Sequence, residues 1–502
     1  MLQNTGWVAK VLLVFLIVLS VVAWYWSFTT NNVLTYNDAA SHLNIARRVV
    51  DNLTPGLAQI GTVWLPLPHL LMLILAWNDT LWHTAIAGSI VSMLAYLVFV
   101  IYVYKSLDLL TDSKCAATIG GLVAACNPNL LYLQTTPMTE PMLLATFGLS
   151  TYYFIRYMKT DQIVDLFMIG IWVGLATLTR YDGWFLYGCM LGVLTLRTLV
   201  SKGRKKAEGV FILFMSIGGF GIFLWLMWNR AIFGDALYFM NGPYSAHAQQ
   251  TILQSVGQLP TVGSWYNSLT YFGWSVLSNN GSIIIAITGL GIAYLLTKLK
   301  NNDYLYLGMI LTVPFIFNVL ALYAGHSAMN VPQAPSNPGY FNIRYGLLVL
   351  PSLAILVGIL ATNKFFRYVA LIGIAIQIGI FVKVGAPVTL IDGMQGLKNT
   401  YYTVEASKWL RENYRGGLIL TSLASHDAFV ARAGLPMKNY IHEGTRENWN
   451  NALQTPGSSV VYIALLSFPP DSVYRAIKDN LAFTKHYELV HTYGTFEIYK
   501  RQ

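Results

Sequence analysis

VLLVFLIVLSVVAWYWSFT fills residues 11–29, and it is followed by YNDAASHLNIARR at 36–48 and PGLAQIGTVWLPLPH at 55–69. The first stretch is apolar over the roughly 20 residues needed to cross about 30 Å of hydrocarbon. Trp24, Tyr25 and Trp26 stand at its far end, where an interfacial aromatic belt belongs, and polar Asn31-Asn32 follows with no small-x-small cleavage pattern. It reads as a retained signal anchor. Residues 36–69 then gather Asp38, His42, Arg47, Arg48 and Asp51 in a chain whose surrounding segments are almost uncharged.

Working outward, further apolar runs fall near 82–104, 115–133, 137–157, 163–180, 183–200, 208–230, 281–297, 304–324, 343–362 and 366–384. With 9–29 this makes about 11 transmembrane helices. The composition agrees, because 55% of residues are hydrophobic and only 11% charged, against about 25% charged in soluble domains. Residues 1–384 carry 20 Lys/Arg and 12 Asp/Glu, while 385–502 carry 12 and 10 in a much shorter stretch. A membrane domain is therefore expected over 1–384 and a small soluble domain over 385–502. The fold class expected is mainly α, a polytopic helical membrane protein with a C-terminal α/β domain.

An odd number of spans puts the termini on opposite sides, and the positive-inside rule chooses between the two orientations. With the N-terminus cytoplasmic, the cytoplasmic segments hold most of the Lys/Arg of residues 1–384, and only Arg47, Arg48, Arg180, Arg230, Arg344 and Lys383 face outward. The net charge of +10 is thus explained by orientation, and no nucleic-acid partner is implied. The long loops 30–81 and 231–280 and the tail are expected outside. The apolar piece 64–77 is too short to cross and is broken by Pro66 and Pro68, so it is expected in the interface. Residues 38–52 pattern as an amphipathic surface helix with Arg47, Arg48 and Asp51 on its solvated face.

The tail reads as helix 404–413, strand 418–421, helices 427–433 and 446–453, strand 460–465, helix 471–480 and a hairpin of 488–491 with 496–500. Cys115, Cys126 and Cys189 lie in or beside apolar runs and imply no disulfide framework. There is no Gly-rich phosphate loop, no metal-spaced His/Cys cluster and no internal repeat.

Half of the acidic residues of 1–384 fall on the outward side: Asp38, Asp51, Asp79, Glu140, Asp182 and Asp235. Ionisable groups at the ends of spans cost free energy to keep near a membrane and are functional candidates for that reason. Asp38 opens the surface helix, whose N-terminal dipole favours the ionised carboxylate that a general base requires; a plain helix cap would equally call for Asp there. Glu140, followed by Pro141, begins a span and is open to both a catalytic and a helix-start reading. Arg180 and Asp182 suit a local ion pair across a tight turn. Arg344 has no acidic neighbour in sequence, so a phosphate would suit its planar donor fork, as would a lipid headgroup. His42, His69, His83, His247 and His326 fall near the outward face, and with Asp38 and Glu140 they leave a divalent cation open as a cofactor, although no spacing calls for one.

Thr139-Glu140-Pro141, Leu178-Thr179-Arg180-Tyr181-Asp182-Gly183 and Asn342-Ile343-Arg344-Tyr345 with Leu350-Pro351, in that order behind a first-loop acid, resemble the GT-C class of membrane glycosyltransferases. That class includes protein O-mannosyltransferases and aminoarabinose transferases. The turn motif departs from the class pattern at Tyr181 and Asp182, where Pro and Glu are usual. Asp38 is followed by Ala39 and Ala40, whereas many members pair two acids in this loop. The resemblance implies a polyprenyl-phosphate-linked sugar donor, a hydroxyl acceptor on protein, lipid or glycan, and no metal ligand of certain identity. It implies Asp38 and Glu140 as catalytic residues. It also implies Arg344 and Tyr345 at the donor phosphate, with Arg180, Asp182, His42, Trp64 and His69 as substrate-binding residues. The aromatics Tyr238, Tyr244, Trp265, Tyr266, Tyr271 and Trp274 offer further sugar-stacking surfaces. Two rivals use the same outward face, a transporter or flippase for a lipid-linked saccharide and a ligase for one.

Overall fold

The computed structural model describes residues 7–61, 63–242, 245–255, 257–334, 339–457 and 459–502; Tyr244 lies outside them. The chain divides into two compact units. One comprises residues 1–32, 62–68 and 89–392, and the other 33–61, 69–88 and 393–502.

The first unit is helical. Lys10–Thr29, Ile86–Thr111, Asp182–Lys202, Asn302–Tyr323, Ile343–Leu360 and Lys364–Asn399 are each long and apolar enough to cross a membrane. Two further helix pairs pass the same test only together: Arg204–Gly218 with Phe220–Phe233, bent by 43°, and Trp265–Asn280 with Ser282–Lys298, bent by 109°. Among the described residues this gives six spans, or up to eight when each bent pair is one span, where the apolar runs predict eleven. Breaks inside the runs account for part of the difference. The run 115–133, for example, ends its helix at Ala125, and Asn127 then caps a separate short helix, Pro128–Leu133. Helix Glu140–Thr160 is buried along most of its length, including Glu140 itself, so it packs as an inner helix.

The second unit holds a five-stranded sheet in the order β2-β1-β3-β5-β4. Its strands are β1 Leu418–Thr421, β2 Tyr440–Ile441, β3 Val460–Leu466, β4 Tyr487–Tyr493 and β5 Phe496–Arg501. β1 runs parallel to both β2 and β3, and β5 lies antiparallel to β3 and forms a hairpin with β4. Helix Leu423–Ala433 starts earlier than the pattern suggests, with a kink at His426. β2 is too short to leave a pattern in the sequence.

Segments of the first long loop, residues 33–61 and 69–81, are integral to this unit. Helix Asn37–Arg47 packs Ala40 against Ala428 and Ala431, and Leu53 joins the core around Trp449 and Ile463. The expected solvated face is consequently buried. Arg47 and Asp51 are 6% and 8% exposed. Arg47 donates to Asp51 Oδ2 from Nε at 3.0 Å and from Nη2 at 2.9 Å, to the carbonyls of Ala76 and Trp77 at 3.1 and 2.7 Å, and to Asp79. Asp51 in turn accepts from the amides of Met437 and Lys438 at 3.0 and 3.2 Å. The amphipathic pattern misled here because these charges are matched by partners far away in sequence.

Asp427 illustrates the same point energetically. Burial pushes its carboxyl up to about 7, against the opposing hydrogen bond from Asn44 Nδ2 at 2.5 Å and the charge of Arg48. A raised carboxyl pKa means that the folded form prefers the acid, so its contribution is intact below about pH 4 and is lost as pH climbs through about 7. Unfolding of the second unit followed by circular dichroism is therefore expected at lower temperature at pH 8 than at pH 5, with Asp427→Asn narrowing the gap. An unchanged gap in that variant would assign the dependence to another group.

Candidate active site

In the first unit three stretches far apart in sequence converge on one carboxylate. Glu140 is the first residue of helix Glu140–Thr160 and is fully buried. Its Oε1 accepts from Arg180 Nη1 and from Arg344 Nε, each at 3.0 Å. Arg180 Nη1 also donates to Thr139 Oγ1 at 3.0 Å, and its Nε donates to Asp182 Oδ2 at 3.2 Å. Both guanidinium carbons lie 5.1 Å from the centre of the Tyr345 ring, within cation–π range. The side chains are 0% (Glu140), 6% (Arg344), 18% (Arg180) and 13% (Asp182) exposed. Two cations and two anions thus share a largely water-excluded space, where charge-assisted hydrogen bonds are strong and the loss of one partner is costly.

Local structure fixes each member. Pro141 occupies the first turn of the Glu140 helix, where its missing N–H costs nothing. The turn carrying Arg180 is closed by Gly183, whose amide donates to Arg180 O at 2.9 Å, and a Cβ at Gly183 would come within 2.2 Å of Ala176 O. Arg344 and Tyr345 ride on a 3-10 helix, Ile343–Val349, entered through Asn342 in the left-handed region. Trp64 belongs to a strap tied to the same turn at both ends: Tyr181 Oη donates to Val63 O at 2.7 Å, and Leu67 N to Leu178 O at 3.0 Å. Leu65, on that strap, packs with Trp225 and Phe239. A small pocket of about 20 Å³ lined by Leu143, Phe147, Leu186, Phe317 and Leu348 has Asp182 among its lining residues, so a small apolar pocket adjoins the charged cluster.

Asp38, His42 and His69 belong to the second unit. Asp38 stands half-exposed in the first turn of helix Asn37–Arg47. The capping position belongs to Tyr36 and not to Asp38. His42 follows one turn later, and its Nδ1 lies 2.9 Å from His69 Nε2, with both rings buried. Among the described residues no group of three or more His, Cys, Asp or Glu side chains is arranged to hold a metal ion. His247 and His326 have ring centres 6.5 Å apart, and His83 packs on Trp82. Of the loop aromatics, Tyr271 is buried and Trp265 stacks on Tyr323 at 4.1 Å, whereas Tyr266 is 77% exposed. Tyr271 is thereby corrected to a core residue.

Sequence reasoning overlooked Asn279 and Asn280, which brace the Arg344 segment. Two adjacent amides at the edge of the apolar run 281–297 were the available signal.

These features define a polytopic membrane protein of GT-C fold. Residues 70–228, the stretch that contains Glu140, Arg180 and Asp182, match the family described as dolichyl-phosphate-mannose-protein mannosyltransferase. Among solved structures, the fold is similar to that of ArnT from Cupriavidus metallidurans bound to undecaprenyl phosphate, with 12% identity, a TM-score of 0.57 and coverage of 99% of this chain and 98% of that one. The apo state of the same ArnT gives 13% identity, a TM-score of 0.57 and 97% coverage of both chains. The oligosaccharyltransferase of Archaeoglobus fulgidus is similar at 13% identity and a TM-score of 0.49, covering 92% of this chain and 70% of that one. No relative among curated protein sequences matches the chain.

Proposed function

We propose that this protein transfers a sugar from a polyprenyl-phosphate donor to a hydroxyl acceptor on the extracytoplasmic face of a membrane. One observation carries the reading. Arg344, buried, and Arg180, part-buried, share Glu140 Oε1, each with its guanidinium 5.1 Å from the centre of the Tyr345 ring, and Asp182, bonded to Arg180, lines a small apolar pocket. A lipid phosphate suits that combination, a fixed cationic fork beside apolar side chains. The fold similarity to a protein with bound undecaprenyl phosphate and the match to a family named for dolichyl-phosphate-mannose support the same donor class.

Asp38 is the proposed general base. It takes the proton of the acceptor hydroxyl as that oxygen bonds to the anomeric carbon, the bond from this carbon to the phosphate oxygen breaks, and polyprenyl phosphate leaves. In-line displacement inverts the anomeric centre. Arg344 and Arg180 stabilise the charge growing on the departing phosphate. Glu140 fits the role of their counter-ion better than that of a base, because a carboxylate oxygen already accepting from two guanidinium groups is a poor proton acceptor. Trp64, Tyr345, His42 and His69 remain substrate-side residues in this reading.

Purified protein in lipid nanodiscs, offered a panel of polyprenyl-phosphate sugars with and without chelator, tests the proposal. Incorporation of sugar into acceptor with release of polyprenyl phosphate is expected, and the chelator arm decides whether a divalent cation takes part. In sealed vesicles, passage of the intact lipid-linked sugar across the bilayer would mark a flippase, and consumption of pyrophosphate-linked saccharides alone would mark a ligase.

A further inference from the structure

Helix Trp265–Asn280, which falls in the stretch expected as the loop 231–280, meets helix Ser282–Lys298 at 109°. Gly281 between them has φ +82°, and a Cβ there would lie 2.1 Å from the Gln377 side chain; only glycine fits. Within hydrocarbon, peptide groups released at such a break must find partners inside the protein. Gln377 Oε1 accepts from Ile283 N at 3.1 Å, and the side chains of Asn127 and Asn129 donate to Asn279 O at 3.0 and 2.9 Å.

The amides of Asn279 and Asn280 reach beyond the break. Asn279 Nδ2 donates to Ile343 O at 2.6 Å, a carbonyl that also accepts from Ser275 Oγ at 2.7 Å. Asn280 Nδ2 donates to Gly346 O at 3.0 Å. Arg344 and Tyr345 are the two residues between those pinned carbonyls. Gly346 permits the approach, since a Cβ there would lie 2.4 Å from the Ser275 backbone. Asn279 and Asn280 are 0% and 1% exposed. The orientation of Asn279 is fixed by two acceptors, Ser275 O at 2.8 Å and Ile343 O, which leaves Oδ1 buried with no hydrogen-bond partner among the described residues. An apolar side chain would avoid that cost. The amide is therefore explained by what it holds rather than by packing.

We propose that Asn279 and Asn280 are positioning residues that set Arg344 and Tyr345 for the donor phosphate, an inference that rests on the reading of Arg344 given above. The test uses the full chain in nanodiscs. Hydrogen exchange reports the clamp without any ligand, and binding of undecaprenyl phosphate reports its purpose. In Asn279→Ala, exchange across residues 343–349 is expected to rise about tenfold while the strands of the second unit keep wild-type protection. Affinity for undecaprenyl phosphate is expected to fall about tenfold, and Asn279→Ala combined with Arg344→Ala to bind no more weakly than Arg344→Ala alone. Unchanged exchange overturns the clamp. Raised exchange with unchanged affinity, or additive losses in the double variant, overturns its role at the phosphate. If wild-type protein binds no undecaprenyl phosphate while exchange still rises in the variant, the donor reading falls and the clamp stands. Should Asn279→Ala fail to fold, Asn280→Ala gives the same readouts through Gly346 O.

Discussion

Asp38→Asn is expected to lower sugar transfer from a polyprenyl-phosphate donor by about a hundredfold to ten-thousandfold, the range that general-base removal produces, with abundance and melting temperature unchanged. The substitution keeps the shape and removes only the charge and the proton affinity. Because Tyr36, not Asp38, holds the capping position of helix Asn37–Arg47, and Asn keeps the size and one acceptor oxygen of Asp, the helix end is expected to stay intact. A measured rate near wild type would sink Asp38 as the base. A parallel loss of folding would instead assign it a structural role.

Glu140→Ala is expected to have the largest effect on the protein as a whole. It leaves two arginines, one 6% and the other 18% exposed, without the carboxylate oxygen they share, and removing one partner from a buried ion network typically costs about 3–5 kcal/mol. Folded yield after detergent extraction should collapse. Glu140→Gln retains an acceptor oxygen for both guanidinium groups but no charge. It should fold, and its Michaelis constant for the donor should change more than that for the acceptor, because the arginines it orients are the proposed phosphate contacts. An Ala variant that extracts and melts like wild type would refute the counter-ion role.

Much of this was legible in the sequence, and for identifiable reasons. Long apolar runs mark spans whatever they pack against, and β-branched strands alternating with helices mark an α/β tail. Thr139-Glu140, Arg180-Asp182 and Arg344-Tyr345 stood out as charges at the ends of such runs. Their meeting could not be read, because Glu140 and Arg344 are separated by 204 positions and nothing local encodes a partner so distant. Arg47 and Asp51 failed for the same reason in the opposite direction. A helical periodicity says which residues share a face, and what covers that face is decided elsewhere in the chain. The break at Gly281 was hidden because residues 265–280, with Asn267, Ser268, Ser275, Ser278, Asn279 and Asn280 among them, read as part of the loop 231–280 and not as half of a bent helix pair.

The bonds from Asp51 to the amides of Met437 and Lys438 join residues 386 and 387 positions apart, and they have a consequence in time. Helix Asn37–Arg47 leaves the ribosome early, but the amides that bond Asp51, just past the helix, are made 386 and 387 residues later. At synthesis rates of about 5–20 residues per second the gap is roughly 20–80 s. Through that interval the segment bearing Asp38 waits unfinished, its buried arginine and carboxylates still wet. Maturation of this region thus waits for residues 437 and 438, and a nascent protein stalled before residue 437 would still lack the partners that tie down Asp51.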